Sequence, residues 1–450
     1  MSSQSLTTVV IGGGWAGIAA AVEATADGTV IVVEERPYLG GRARSFQDKT
    51  MHHQIDNGQH VMMGCYHETL RMLETLGTAH LLRRQRALRV AFVQPNTTMD
   101  VLDASALPGS AGIAVAIMRL GNLRLSSRIA VLSLAAKIRL GIVTGRGLTC
   151  SEFFAKHAQP NDAIERFWEP IVLATVNAPI TNAPAELLFA VMKLAFLGSR
   201  TDAQMLIPTC GLSDLLAPFP EWLRQRGGSV YLSTSADAIV PQNINGTMSA
   251  VVQLSSGETL VANRVISAIP QRALRRLLSN SSSDVVLPAE PPASPIVSVY
   301  LWYNSGWMPV DFASAIGTTI QWVFDKQNLH PGLVAVTVSA GASIVARDAG
   351  SIIALCDEEL RRCFPQELGS VELLHGQVIK EKQATPLFTP ANIAVRVLPD
   401  HVAVAHPYLR IAGDWTQTQL PATIEGAVQS GVSAARAARE QVNTGHQRSQ

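Results

Sequence analysis

The chain has 450 residues and a formal net charge of +1; charged residues make up only 16% and hydrophobic residues 47%. Near-neutrality excludes the basic field that nucleic-acid binding needs, and the length exceeds one ordinary core, so two domains or one interrupted domain are expected. The apolar share fits a large apolar cavity, a membrane-facing surface or an unusually large core.

Cys65, Cys150, Cys210, Cys356 and Cys363 are scattered, without C-x-x-C or metal-ligand spacing, so reduced thiols in a cytoplasmic compartment and no metal are expected. The first strand begins close to Met1, which leaves no room for a signal peptide. No uncharged apolar run is long enough to span a bilayer.

Val9-Val10-Ile11 runs directly into Gly12-Gly13-Gly14-Trp15-Ala16-Gly17, an Ala-rich helical run follows, and a second apolar strand, Val30 to Val33, ends in Glu34-Glu35. Strand, G-x-G-x-x-G turn, helix, strand and acid together form the dinucleotide fingerprint. Gly12 allows the tight turn, Gly14 admits a pyrophosphate, and Gly17 lets the helix pack close. The helix start at Trp15 and Ala16 offers N–H groups and a positive dipole end to phosphates. Glu34 stands where a carboxylate accepts from ribose hydroxyls. Gly40-Gly41-Arg42 adds a second close backbone and a guanidinium able to fork onto phosphate oxygens.

Ile55-Asp56-Asn57-Gly58-Gln59-His60 is a dense polar cluster, followed by a helix from His67 to Leu76 that Gly77 stops. From Ala104 to Ser151 there is no acid, but Arg119, Arg124, Arg128, Lys137, Arg139 and Arg146 stand among apolar residues. That pattern predicts one or two basic amphipathic helices, docked on membrane or merely solvated. Thr149 to Glu152 is a capping box opening a helix to about His157. A helix over 161–170 is expected to break or kink at Pro170. Further helices are expected over 184–197 and 213–226. Strands follow at 230–233, 250–254 and 265–269, with a hairpin signal at Ser255-Ser256-Gly257. Residues 279–295, rich in Ser and Pro, read as a linker. Strands at 296–303, 320–324, 333–338 and 372–379, a helix over 351–364 and a last helix over 422–439 complete the chain, and the polar tail 441–450 is expected to be disordered.

A second half-site stands near the C-terminus. Ile411-Ala412 ends a strand in Gly413-Asp414, and Glu425-Gly426-Ala427 opens the last helix. A carboxylate at a strand end can take a ribityl or phosphate-side hydroxyl, and the helix start can stabilise charge on a ring carbonyl. NAD needs no such half-site, whereas extended FAD does.

On these segments the chain resembles the FAD-dependent amine oxidase and phytoene desaturase superfamily over nearly its whole length. It is similar in particular to the squalene-associated desaturase branch, the hydroxysqualene dehydroxylases of bacterial hopanoid pathways. Residues 55–60, Arg166 to Pro170 with Leu173 to Asn177, Gln321 to Asp325, Lys380 to Thr385, and Gly413 to Thr416 with Leu420 to Ala427 carry the resemblance. The aromatic cage of amine oxidases is not evident, and Asp27-Gly28-Thr29 is a short helix-to-strand turn.

The resemblance implies an α/β fold: a discontinuous Rossmann-type FAD-binding domain (1–90, 206–290 and 396–440) and an interleaved α+β substrate domain (91–205 and 291–395). It places Gly12, Gly14, Trp15, Ala16, Gly17, Glu34, Glu35, Gly41, Arg42, Gly58, Gln59, Ala236, Gly413, Asp414, Glu425, Gly426 and Ala427 at FAD. The implied reaction removes the allylic hydroxyl of hydroxysqualene as water and leaves squalene. An acid or hydrogen-bond donor is then needed. His60 is the first candidate because it titrates nearest neutrality, followed by Asp56 and Glu169. Trp168, Trp322 and Phe324 are expected either to line an apolar slot or to be core aromatics. A peripheral location on the inner face of the cytoplasmic membrane and contact with other squalene-pathway enzymes are expected; nucleic acid is not. The alternatives are an oxidative carotenoid-type desaturase or amine oxidase, and a flavin-free escort protein for prenylated GTPases.

Overall fold

A computed structural model describes residues 6–244, 247–281 and 285–447. Five parallel strands form the first sheet, in the spatial order Ser229–Tyr231, Gly28–Val33, Leu6–Ile11, Arg264–Ser267 and Leu409–Ile411. Parallel strands covered on both faces read as continuous apolar runs, and Val9, Val10, Val32, Val265 and Ile266 are all fully buried. Helices Trp15–Ala24 and Ile424–Gln447 pack on one face. A methyl on Gly431 would lie 2.0 Å from the Ala16 carbonyl oxygen, so glycine is what lets these helices touch. The other face carries the meander Ala236–Ile244, Thr247–Leu254 and Thr259–Ala262.

The second sheet has seven strands, in the order Leu373–Pro386, Ala293–Tyr303, Leu333–Val338, Trp322–Asp325, Phe312–Ala315, Arg89–Val93 and Asp100–Asp103. Side chains alternate between its faces. Val297, Val299, Leu301, Val323, Val334, Val336 and Val338 share a core with Ile352, Cys356 and Leu360 of helix Ala349–Cys363. On the opposite face Tyr300, Trp302, Leu333 and Ala335 form a smaller cluster with Ile55. This second face presses the polar segment 54–60 against the sheet.

Several expectations change. Of the break or kink expected at Pro170, the break is absent: a wider π-type turn at Ile164–Trp168 precedes it, and helix Glu169–Val176 continues through it. The helix expected over 213–226 is two, Leu212–Leu216 and Phe219–Arg224, with Pro218 between them. The strand expected over 372–379 runs on to Pro386. The capping box at Thr149 and the stop at Gly77, with φ of 78°, are formed.

The acid-free stretch forms helices Gly109–Arg119 and Leu125–Arg139. The second is not simply amphipathic. Ser127, Val131, Leu134, Ala135 and Ile138 face inward, while Leu125, Ile129 and Leu140 are 59%, 54% and 71% exposed. With half-buried Leu132 and exposed Ala136 they recur every three or four residues, which makes a second apolar stripe. Among the described residues no helix is long and apolar enough to cross a membrane. The last helix runs to Gln447, and 448–450 of the polar tail lie outside the described residues.

Candidate active site

The first strand ends in a turn that only glycine permits. Gly12 has φ of 105°, and a methyl on Gly17 would lie 1.8 Å from the Gly12 carbonyl oxygen. Gly14 precedes helix Trp15–Ala24 with no side-chain cap, so the first-turn N–H groups stay available to an anion. Gly41, with φ of 59°, faces Gly14; a methyl on Gly41 would lie 3.2 Å from the Gly14 Cα. The two glycine backbones thus lie directly against each other. Glu34 is buried and accepts the Gly13 N–H at 2.6 Å and the Arg36 N–H at 2.9 Å. Burial pushes its carboxyl up, and the two N–H groups oppose that.

Arg42 reaches across to the C-terminal half-site. Its guanidinium meets Asp414 Oδ1 at 2.5 Å and the Ala384 carbonyl at 2.7 Å. The Asp414 carboxylate raises the arginine further still. The Asp414 side chain is 7% exposed but the Arg42 side chain 44%, so one face of the guanidinium is open. Gly413, with φ of 138°, donates to Ser430 Oγ of the last helix at 2.8 Å. The Gly426 N–H donates to Thr423 Oγ1 at 3.2 Å and the Ala427 N–H to the Thr423 carbonyl at 3.0 Å.

Segment 54–60 crosses from the first sheet to the second. The Asp56 N–H and Gln59 Nε2 both donate to Tyr300 Oη, at 2.9 and 2.5 Å. The Asp56 carboxylate accepts from Ser45 Oγ at 2.7 Å and the Leu212 N–H at 2.9 Å. Burial raises its carboxyl, against the pull of Lys326. Asp56 Oδ1 therefore ties three chain segments together. His60 is half-buried and makes no hydrogen bond among the described residues. Burial, aided by Lys326, pushes its imidazole down to about 4. A point one methyl out from Gly58 is 3.5 Å from His60 Nε2 and 3.9 Å from Ser298 Oγ, so the ring and the hydroxyl border one space.

Other expected residues are engaged elsewhere. Glu425 turns both oxygens onto helix His67–Leu76: it accepts the Glu68 N–H at 3.1 Å, the Thr69 N–H at 3.0 Å and Thr69 Oγ1 at 2.6 Å. It caps that helix instead of reaching into the cleft. Trp168 is fully buried, bonded through Nε1 to Gln159 at 2.8 Å and stacked on Phe154; of its two expected roles, it takes the core one. Glu169 is half-buried on the adjoining helix, with its carboxyl raised by burial and by Glu165. Glu35 pairs with Arg36 in solvent, and Ala236 is half-exposed at the head of the meander. Trp322 and Phe324 stand on the sheet face that holds Tyr300.

Sequence reading missed Tyr300, Ser298, Thr337 and Lys326. Lys326 is 5% exposed, beside Asp56 and Asp325, and burial lowers its ammonium. Its position directly after Gln321 to Asp325 was the available signal, but a lysine following an acid reads as surface. No group of three metal-ligating side chains is present among the described residues.

A parallel sheet carrying an intact dinucleotide turn, closed by an arginine–carboxylate pair from the far end of the chain, defines a flavin-dependent oxidoreductase. The family model described as flavin containing amine oxidoreductase matches residues 15–439. The chain belongs to that family, and FAD is its cofactor. The close glycine backbones at Gly14 and Gly41, the uncapped helix start and the open face of Arg42 fit that group. Hydroxysqualene dehydroxylase of Rhodopseudomonas palustris is 29% identical over 454 residues, 96% of this chain and 98% of that one. The chloroplastic/chromoplastic zeta-carotene desaturase of Zea mays is 23% identical, covering 95% of this chain and 82% of its own. In fold, cyclohexylamine oxidase from Brevibacterium oxydans superposes with a TM-score of 0.70 at 16% identity, covering 98% of this chain and 100% of that one.

Proposed function

We propose that the protein is a hydroxysqualene dehydroxylase: it replaces the allylic hydroxyl of hydroxysqualene by hydrogen and so forms squalene. The observation that carries this reading is similarity to the Rhodopseudomonas palustris enzyme along 96% of this chain and 98% of that one. The site supports it, because His60, whose imidazole burial keeps neutral, can donate a hydrogen bond. Segments 1–90, 206–290 and 396–440 hold FAD, and 91–205 with 291–395 hold the isoprenoid. Gly12, Gly14 and Gly17 with the helix start take the pyrophosphate, Glu34 the ribose, and Arg42 and Asp414 the phosphate–ribityl region.

When bound and reduced, FAD would supply the hydride taken up by the allylic carbon. The C–O bond breaks with its electron pair on oxygen, which takes one proton from solvent and leaves as water. The substrate gains two electrons, and an external two-electron donor restores the flavin. His60 donates a hydrogen bond from its neutral ring to the departing oxygen, and Trp322 and Phe324 wall the apolar chain. The exposed stripe on helix Leu125–Arg139, flanked by cations, docks on anionic lipid where the hydrocarbon substrate dissolves.

Anaerobic incubation of photoreduced holoprotein with hydroxysqualene tests the reaction. Squalene should form with flavin reoxidation and no other oxidant. Absence of squalene, with polyene desaturation or amine oxidation by the oxidised protein, would overturn the reading.

A further inference from the structure

Among the described residues of the second sheet, the buried polar atoms Ser298 Oγ, Thr337 Oγ1, Trp322 Nε1 and His375 Nε2 have no hydrogen-bond partner. The first three are not scattered. Ser298 lies opposite Thr337, and Thr337 lies opposite Trp322, so they form one cross-strand row over three strands. Directly opposed residues share a face. The next row, Tyr300, Ala335 and Phe324, shares it too, and Tyr300 Oη holds Asp56 and Gln59. The row therefore faces the 54–60 segment. Ser298 Oγ borders the same point beside Gly58 as His60 Nε2. The strand residues between the rows, Val299, Val336 and Val323, point into the other core.

Folded chains pair nearly all buried polar groups, and each exception calls for a reason. Three exceptions in one row share a chemistry. Each can donate, and the indole N–H can do nothing else. What complements them is a hydrogen-bond acceptor in a dry setting, above all one whose negative charge grows during reaction.

We propose that Ser298, Thr337 and Trp322 form a donor row that receives the hydroxyl oxygen of the isoprenoid alcohol and stabilises it as it departs. This deepens the dehydroxylase reading and rests on it. Trp322 is thereby more than an apolar wall: its ring faces hydrocarbon and its N–H faces oxygen. His60 approaches the same oxygen from the 54–60 segment.

The test uses flavin-loaded protein and two substitutions that remove a donor while keeping shape, Ser298→Ala and Thr337→Val. Binding of hydroxysqualene and of squalene to the oxidised holoprotein is measured by equilibrium dialysis in detergent micelles. Each variant should lose about three- to tenfold in hydroxysqualene affinity, with squalene affinity, flavin content and flavin absorption maximum unchanged. Equal losses for both ligands, or no loss, would overturn the row as a hydroxyl site. A shifted flavin spectrum would assign it to the cofactor instead and overturn it equally. Should Ser298→Ala fail to fold, Thr337→Val alone decides. Wild-type protein that forms no squalene sinks the parent reading and this one; active wild type with indifferent variants sinks only this one.

Discussion

At the scale of single residues, His60 shows how burial changes a role. An imidazole at about 4 is neutral across the physiological range, so its part in the proposed reaction is to donate a hydrogen bond and not to deliver a proton from an imidazolium. Turnover should show no break near pH 6.5, and His60→Phe should slow flavin reoxidation by hydroxysqualene by about 10²–10³-fold, the usual worth of one positioned donor. A break near 6.5 that vanishes in His60→Phe would restore the imidazolium. The same shift is a stability statement. The unfolded chain takes the proton near its ordinary 6.5, before the folded one does, so stability is lost as pH falls from 6.5 towards 4, by about 3 kcal/mol at most. Raised carboxylates such as Glu34 and Asp56 act oppositely, costing stability as pH rises through their folded values. Comparison with His60→Gln therefore isolates the histidine: its denaturation midpoint should fall less between pH 6.5 and 4.5 than the wild type's. At the cofactor end, Gly14→Glu sets a carboxylate against the pyrophosphate, and Asp414→Ala strips Arg42 of its partner. Both should lower flavin per mole of protein, and wild-type occupancy in either would refute those placements.

At the scale of elements, contacts between distant segments carry the site. Tyr300 Oη takes two donors from segment 54–60 across more than 240 positions. Tyr300→Phe leaves both buried donors short of an acceptor and should cost about 1–3 kcal/mol in chemical denaturation. Glu425 bridges the last helix to the start of helix His67–Leu76, and Glu425→Ala should destabilise by a similar amount. These examples explain what was legible. Strand, turn and helix at Val9 to Gly17, the capping box at Thr149 and the stop at Gly77 depend on neighbours in sequence, and local rules read them. The fold class followed from the two ends of the chain. Ser298, Thr337 and Trp322 have meaning only through cross-strand register, which no local pattern encodes. Glu425 looked like a cofactor ligand because it opens a helix in the right motif, but its carboxylate folds back onto Thr69. Pro170 looked like a break or kink because the wider turn that precedes it has no sequence marker.

At the scale of the whole molecule, the proposed isoprenoid substrate needs a route of entry. Helix Leu125–Arg139 buries one apolar face and presents another, and Ile142, just beyond it, is 67% exposed. A solvated helix would carry polar residues there. Around the stripe stand exposed Arg119, Arg124, Lys137, Arg139 and Arg146, with no acid between Ala104 and Ser151. Arg128 differs: it donates to the Leu123 and Met118 carbonyls at 2.9 and 2.8 Å and closes the end of the preceding helix. Reversing it would confuse docking with folding. The clean variants are Arg124→Glu with Lys137→Glu, and separately Leu140→Ser with Ile142→Ser. Each cation near an anionic surface contributes about 1 kcal/mol, so the charge pair should weaken sedimentation with phosphatidylglycerol vesicles more than tenfold at low salt. High salt should erase that difference, because screening removes the electrostatic part. The serine pair should weaken binding at every salt concentration, since apolar insertion is not screened. Flavin content should stay at the wild-type level in both. If both variants sediment as the wild type does, the stripe faces something other than lipid, and the substrate enters elsewhere.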